Sequence, residues 1–381
     1  LLLDIERVAY GGVCVAHAPD GRVVFVRHAL PGETVRVHVT EERPKYLRAD
    51  AVEVIRASPA RVAPPCPYAG PGRCGGCDWQ HVALEAQRDL KATVVREQLS
   101  RLAGLDVDVQ VEAAPGDGDG LGWRTRLRLA ADDDGRAGLR RHRSHEIEPI
   151  ADCLIASPAA DIPDVVRRAW RPGEEVSIDV SSTGERAISV GTPAETLTER
   201  AAGRDWRVPV GGFWQVHPAA AQTLVDAVGA MLQPRAEDRL LDLYAGVGLF
   251  AGSLAGRIHS AVAVEWDRRA ARAAADNLAD LSIEVVQARA DRWLADRPAG
   301  TAFDLIVLDP PRKGAGRDVV AGIAAIGARA VAYVACDPSA LARDVATFGA
   351  LSYSLRELRA FDLFPMTAHV ECVALLTRDL D

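Results

Sequence analysis

The stretch Arg239-Leu-Leu-Asp-Leu-Tyr-Ala-Gly-Val-Gly-Leu249 decides the fold class of the second half of the chain. Arg239 to Leu243 is a short apolar run of strand length, and Leu249 to Ala255 begins a helical period. Between them Gly246 and Gly248 let the backbone come close to a ligand, and the free N–H groups of a helix start face it. The alternation continues on both sides. Ala219 to Leu232 is helical in period, Ser260 to Glu265 is strand-like, and Arg268 to Leu281 is an Ala-rich helix. Phe303 to Leu308 and Ala330 to Val334 supply two more strands. Strands alternating with helices predict parallel βαβ units, so residues 205–381 are expected to form an α/β, Rossmann-like doubly wound domain.

Working towards the N-terminus, the pattern changes. Residues 1–58 alternate with period two, as in Val23-Val-Phe-Val26 and Thr34-Val-Arg-Val-His-Val39. Pro19-Asp20-Gly21 and Pro31-Gly32 mark turns, which predicts a small β-barrel of about five strands. Residues 59–204 read as a central α+β domain. It has one helix from Leu84 to Ala103, a loop over Pro115 to Gly120, and strands at Trp123–Ala130, Glu175–Val180 and Ala187–Val190.

The chain has 381 residues and a net charge of −8, with 48% hydrophobic and 26% charged residues. These are the proportions of an ordinary globular protein. No uncharged apolar run is long enough for a membrane span, and the first residues lack a secretion signal. Seven cysteines, an odd number in a long chain, argue against a disulfide scaffold. A cytoplasmic protein with reduced thiols is expected. Three of those thiols crowd into Cys66-Pro-Tyr-Ala-Gly-Pro-Gly-Arg-Cys74-Gly-Gly-Cys77. Clustered cysteines in that setting mean metal or catalysis.

Chemistry concentrates at strand ends in the C-terminal domain. Gly246-x-Gly248-x-x-Ala251 satisfies a loose dinucleotide fingerprint and also a plain βα turn. Glu265 ends the next strand, where an acid can bind ribose hydroxyls of either NAD or S-adenosylmethionine. Asp309-Pro-Pro-Arg312 follows another strand, an element that many methyltransferases carry and dehydrogenases do not need. Cys336 stands just past the next strand, and a thiolate there can add to an electron-poor carbon. Glu371 lies among apolar residues that can raise its pKa towards that of a useful base. Taken alone, Glu371 reads as a solvated strand residue and Cys372 as core.

Taken together, these motifs resemble the class I RNA 5-methyluridine methyltransferases, over nearly the whole chain. The resemblance rests on a TRAM-like barrel, Cys66…Cys74-Gly-Gly-Cys77-x-x-Gln80-His81, Arg141-x-Arg143-Ser-His-Glu146…Cys153, Phe213-Trp-Gln215-Val, the Asp242–Gly248 turn, Asp309-Pro-Pro-Arg312, Cys336-Asp-Pro338 and His369-Val-Glu371. It implies a 4Fe–4S cluster on Cys66, Cys74, Cys77 and Cys153, although four thiolates also suit zinc. It implies S-adenosylmethionine as cofactor, held by Gln215, Tyr244, Gly246, Gly248, Glu265 and Asp309. It also implies Cys336 as nucleophile on carbon 6 of a uridine and Glu371 as the base at carbon 5, with 23S rRNA or tRNA as partner and a monomeric enzyme. The chain departs from the pattern at Asp337 and His217, where relatives often have Asn. Leu249 replaces a polar residue, and the third cofactor motif near Arg289–Asp291 is indistinct.

Alternating positions put Arg124, Arg126 and Arg128 on one face suited to phosphates. Arg140, Arg141 and Arg143, with Arg22, Arg27, Arg36, Arg43, Lys45 and Arg48 of the barrel, add further basic surface. Two rival readings use fewer of these residues. An NAD-dependent oxidoreductase leaves the cysteines and Asp309-Pro-Pro unexplained. A non-catalytic RNA-binding protein with a structural metal needs neither Cys336 nor Glu371.

Overall fold

The computed structural model describes residues 1–297 and 300–379. It divides into two compact units. One comprises Leu1–Val94, Asp117–Ser177 and Phe364–His369; the other comprises Val95–Gly116, Ile178–Leu363 and Val370–Asp381.

The first unit opens with six strands in the order Leu2–Asp4, Thr34–Glu42, Tyr46–Arg56, Val23–Arg27, Val13–His17, Arg7–Ala9. Their alternate residues make one core of Leu3, Ile5, Ala16, Val24, Val26, Val35, Val37, Leu47 and Ala49. The count exceeds the expected five because the two outermost strands have only three residues each, too few to show a period. Gly21 and Gly32 turn with φ of 85° and 82°, as the Pro-x-Gly and Pro-Gly signals require. Antiparallel strands Arg126–Ala131, Ala137–Arg140 and Ile147–Pro149 follow the cysteine-bearing segment.

The second unit is built on an eight-stranded sheet. Its order is Ile283–Gln287, Ser260–Glu265, Arg239–Leu243, Leu305–Leu308, Ala330–Ala335, Glu371–Arg378, Tyr353–Asp362, Val111–Ala113. The first five strands run parallel. Glu371–Arg378 is inserted antiparallel between Ala330–Ala335 and Tyr353–Asp362. Leu305–Leu308 and Ala330–Ala335 are buried along their whole length, which is why they read as continuous apolar runs. The chain crosses to opposite sides of Arg239–Leu243, leaving a crevice at its carboxyl end, where open α/β sheets bind ligands. The fold class is therefore α/β, with a Rossmann-like sheet, a small N-terminal β-barrel and a central α+β segment. Among the described residues no helix is long and apolar enough to cross a membrane.

Candidate active site

The crevice begins at Asp242. This wholly buried carboxylate accepts a hydrogen bond from the Ala251 N–H at 2.9 Å and so fixes the first turn of the helix Leu249–Leu254. Burial, with Asp309 and Glu265 nearby, pushes its pKa up to about 7. The turn between strand and helix runs through left-handed backbone at Tyr244, Gly246 and Gly248, with φ of 61°, 57° and 94°. For Tyr244 that conformation is strained, as happens where geometry serves a ligand. Gly248 is also sterically required, since a Cβ there would stand 2.7 Å from Leu278 Cδ1.

Glu265 closes this turn from the neighbouring strand. Its Oε2 accepts from the Gly246 N–H at 2.8 Å and its Oε1 from the Asp267 N–H at 2.6 Å. Asn277 braces the turn from behind. Its Nδ2 donates to the Val247 carbonyl at 3.1 Å, while its Oδ1 accepts from the Arg207 N–H at 2.9 Å. The sequence reading missed Asn277 because it lay inside an expected helix to Leu281; the helix ends at Asn277. The indistinct Arg289–Asp291 segment pairs internally at 2.9 Å and lies beside Tyr244, whose phenol is pushed up to about 12 by burial and by Asp291 and Asp344.

Asp309, Cys336 and Glu371 converge across the next strands. The register Ala335↔Cys372 sets Cys336 level with Glu371 at the sheet edge. Glu371 is 3% exposed, as its apolar neighbours allowed; its strand is inserted antiparallel between Ala330–Ala335 and Tyr353–Asp362 and has no open edge. Burial raises the pKa of Asp309 and of Glu371; the negative charge of Asp309 raises Glu371 further, and Arg312 opposes it. Burial raises the Cys336 thiol to about 12, with Glu371 and Asp309 adding to the rise and Arg312 opposing it. At neutral pH the site therefore holds a thiol beside carboxyl groups able to accept its proton. Gln215 Nε2 reaches Asp309 Oδ2 at 3.5 Å, beside Phe213, which is 68% exposed.

Asp344 is a supporting residue that the sequence did not announce. Its carboxylate accepts from the Tyr333 hydroxyl and the Ala315 N–H, both at 2.7 Å. It thereby anchors the loop that carries Arg312. Of the two departures from pattern, Asp337 caps a helix and His217 closes a turn before one. Asp337 Oδ1 accepts from Ala340 N–H at 2.8 Å, and His217 Nδ1 accepts from Ala219 N–H at 3.1 Å. Asn could do either.

In the first unit, Cys66, Cys74, Cys77 and Cys153 come near enough to perturb one another. Burial raises Cys77 to about 12 and Cys153 to about 11. N–H donors face the sulfurs: Gln80 Nε2 lies 3.3 Å from Cys77 Sγ, and Gly76 N lies 3.4 Å from Cys74 Sγ. The Arg124 charge favours ionised Cys74 and Cys153. Arg124 sits in an isolated bridge to Ala156, ahead of the strand Arg126–Ala131; Trp123, Thr125, Leu127 and Leu129 are buried, and Arg124, Arg126 and Arg128 alternate with them on the other face as expected, with Arg124 also acting on the thiols. Four thiols with N–H donors and a cation suit an anionic cluster. Among the described residues, no three His, Cys, Asp or Glu side chains stand in a metal-coordinating arrangement. Cys14, buried in the barrel, belongs to neither group.

Comparison with known proteins adds the following. Residues 1–52 match the TRAM domain model, and residues 297–379 match the tRNA (uracil-5-)-methyltransferase model. An uncharacterized RNA methyltransferase of Streptomyces avermitilis is 49% identical over 98% of this chain and 97% of its own length. The 23S rRNA (uracil(1939)-C(5))-methyltransferase of Chromohalobacter salexigens is 33% identical over 99% of this chain and 89% of its own. The Pyrococcus abyssi tRNA (uracil-54, C5)-methyltransferase, solved with S-adenosyl-L-homocysteine, shares the fold. Its TM-score is 0.75 at 23% identity, covering 98% of this chain and 99% of that one.

Proposed function

Because the chain belongs to the RNA (uracil-5-)-methyltransferase family, with an N-terminal TRAM domain, we propose that it methylates carbon 5 of a uridine in structured RNA, rRNA or tRNA. The convergence of Cys336, Glu371 and Asp309 beside the glycine turn carries this reading. A non-catalytic RNA binder has no use for a buried carboxylate aimed at a thiol. A dehydrogenase has no use for either.

Gly246, Gly248, Tyr244 and Glu265 would hold S-adenosylmethionine, with Gln215 and Asp309 between cofactor and base. When bound, that molecule supplies an electrophilic methyl group. The Cys336 thiol gives its proton to a neighbouring carboxylate, and its sulfur bonds to carbon 6 of uracil. The displaced electron pair passes to the carbon 4 oxygen as an enolate, making carbon 5 nucleophilic towards the methyl. Once carbon 5 has taken the methyl, the carbon 4 carbonyl re-forms; Glu371 then takes the proton from carbon 5, the enolate forms again, and its collapse restores the carbon 5–carbon 6 double bond and expels the Cys336 sulfur as thiolate. The raised pKa of Glu371 suits this role, since a stronger base is a better acceptor. Phe213 is placed to stack on the target base, which must leave its own stack to reach the thiol. The donor set at Cys66, Cys74, Cys77 and Cys153 fits a 4Fe–4S cluster better than zinc, given the N–H groups and Arg124 facing the sulfurs.

The test is methyl transfer from labelled S-adenosylmethionine to unmodified 23S rRNA and tRNA transcripts, with product nucleosides identified by mass spectrometry. 5-Methyluridine is expected in one RNA and is lost in Cys336→Ala. RNA containing 5-fluorouridine should trap a covalent complex with the wild type and none with Cys336→Ala. Methylation retained by that variant would remove Cys336 as nucleophile.

A further inference from the structure

Glu371 is the first residue of its strand. Its ladder to Ala330–Ala335 starts one residue later, at Cys372, and Phe361 pairs with Glu371 on the other side. The end of a ladder opens more readily than its middle, so the place of Glu371 depends on what precedes it. What precedes it is Phe364–His369, a segment of the first unit. Val370 alone links that segment to Glu371.

The first unit holds this segment through buried side chains and through backbone. Met366 has a left-handed φ of 65°, a conformation that persists for such a residue only where its surroundings impose it. They do so at its main chain. The Met366 carbonyl accepts from the Asp78 N–H at 3.0 Å and from the Trp79 N–H at 2.9 Å. Its own N–H donates to Gln87 Oε1 at 2.8 Å. Gln87 lies on helix Leu84–Ala103 and is fully buried. Its Nε2 donates to the Val82 carbonyl at 2.9 Å and to the Trp79 carbonyl at 3.2 Å. One amide thus ties Met366 to the chain that follows Cys77. Asp78 Oδ2 accepts from the Ala368 N–H at 3.1 Å, three residues before Glu371. Lys91, also fully buried, donates from Nζ to the Phe364 carbonyl at 3.1 Å. The barrel closes on the same residues, since a Cβ at Gly12 would stand 2.6 Å from Ala368 Cβ. A loop that only joined two strands would run over the surface and need no such set of buried bonds.

We propose that Gln87 and Asp78 are positioning residues for Glu371: by locking Met366 and Ala368 they fix where the base starts its strand. This rests on the reading of Glu371 as the base beside Cys336.

The test uses the full chain. Gln87→Met keeps the length and burial of the side chain and removes its amide bonds. Amide exchange of the peptide Phe364–Glu371, followed by mass spectrometry, should speed up by about tenfold or more. Iodoacetamide labelling of Cys336 at alkaline pH should rise by about threefold, part of the way to the Glu371→Gln rate, because a displaced carboxylate no longer holds the thiol up. In methyl transfer kcat should fall by about tenfold or more, with KM for S-adenosylmethionine level. Asp78→Ala should act in the same direction. Asp78→Asn keeps an acceptor for the Ala368 N–H and should restore wild-type behaviour. Glu33→Gln, a buried change in the barrel of the same unit, controls for lost stability and should leave the Cys336 curve in place. Wild-type exchange and labelling in Gln87→Met and Asp78→Ala, or an equal shift in Glu33→Gln, would overturn the inference. A shifted Glu371→Gln curve with unshifted Gln87→Met and Asp78→Ala curves refutes the positioning alone and leaves the base standing. Shifted curves in all three, without 5-methyluridine from the wild type, refute the uridine reading and keep the positioning of Glu371.

Discussion

The thiol of Cys336 offers a quantitative check on the chemistry of the crevice. Its pKa rises from the ordinary 9.0 to about 12, with burial as the first cause and Glu371 as the next. That rise favours the neutral thiol by about 4 kcal/mol. At pH 8 only about one thiol in ten thousand is ionised, so the free protein should alkylate slowly at this position. Glu371→Gln keeps the volume and the burial but removes one negative charge. The thiol of the variant should therefore titrate below about 12, yet still above 9.0, because burial remains. The assay follows iodoacetamide labelling of the Cys336 peptide by mass spectrometry from neutral pH upward. Wild-type labelling should climb about tenfold for each pH unit without levelling through pH 10. Glu371→Gln should label about tenfold faster at the alkaline end, although methyl transfer falls. A wild-type curve that levels near 9.0, or two coincident curves, would refute the claim that Glu371 and Cys336 share one electrostatic site.

Three other perturbations test the supporting structure. Gly248→Ala places a Cβ 2.7 Å from Leu278 Cδ1 at a φ of 94°; it should cost about 1–3 kcal/mol, read by thermal melting, and weaken S-adenosylhomocysteine binding, read by calorimetry. Glu33 is fully buried, with Oε1 2.6 Å from Arg61 Nε, Oε2 2.7 Å from Arg61 Nη2, and N–H donors at Leu30 and Ser58. Burial alone would raise this carboxyl, but Arg61 and the N–H groups outweigh it and hold the pKa below 4.5. The stability it contributes is thus complete above 4.5 and is lost as pH falls through the lower folded value. Glu33→Gln should cost about 3–5 kcal/mol at neutral pH, with the gap to wild type closing in acid during urea titrations. Gly75→Ala drives a Cβ to 2.8 Å from the His142 backbone; anaerobically purified variant should carry less iron and sulfide than wild type, measured by chemical analysis.

The parts of this molecule legible in sequence are those whose residues answer to one neighbour layer. Helix Leu84–Ala103 and strands Arg239–Leu243, Ser260–Glu265 and Glu175–Val180 fall where their periods place them. One misreading involves a third partner. Arg268–Asn277 stops early because Asn277 turns its amide to the glycine turn and to the strand Arg204–Pro209. Glu371 shows what topology adds to a local reading. The apolar neighbours in its strand point to a desolvated carboxylate, while the residue taken alone reads as solvated. Burial comes from inserting that strand antiparallel between Ala330–Ala335 and Tyr353–Asp362, an event of topology rather than of local pattern. The same insertion sets Glu371 level with Cys336 and under the field of Asp309. The basicity of the carboxylate and its alignment with the thiol thus have one cause. A substitution that slips this strand by one residue would reverse its faces and abolish both together.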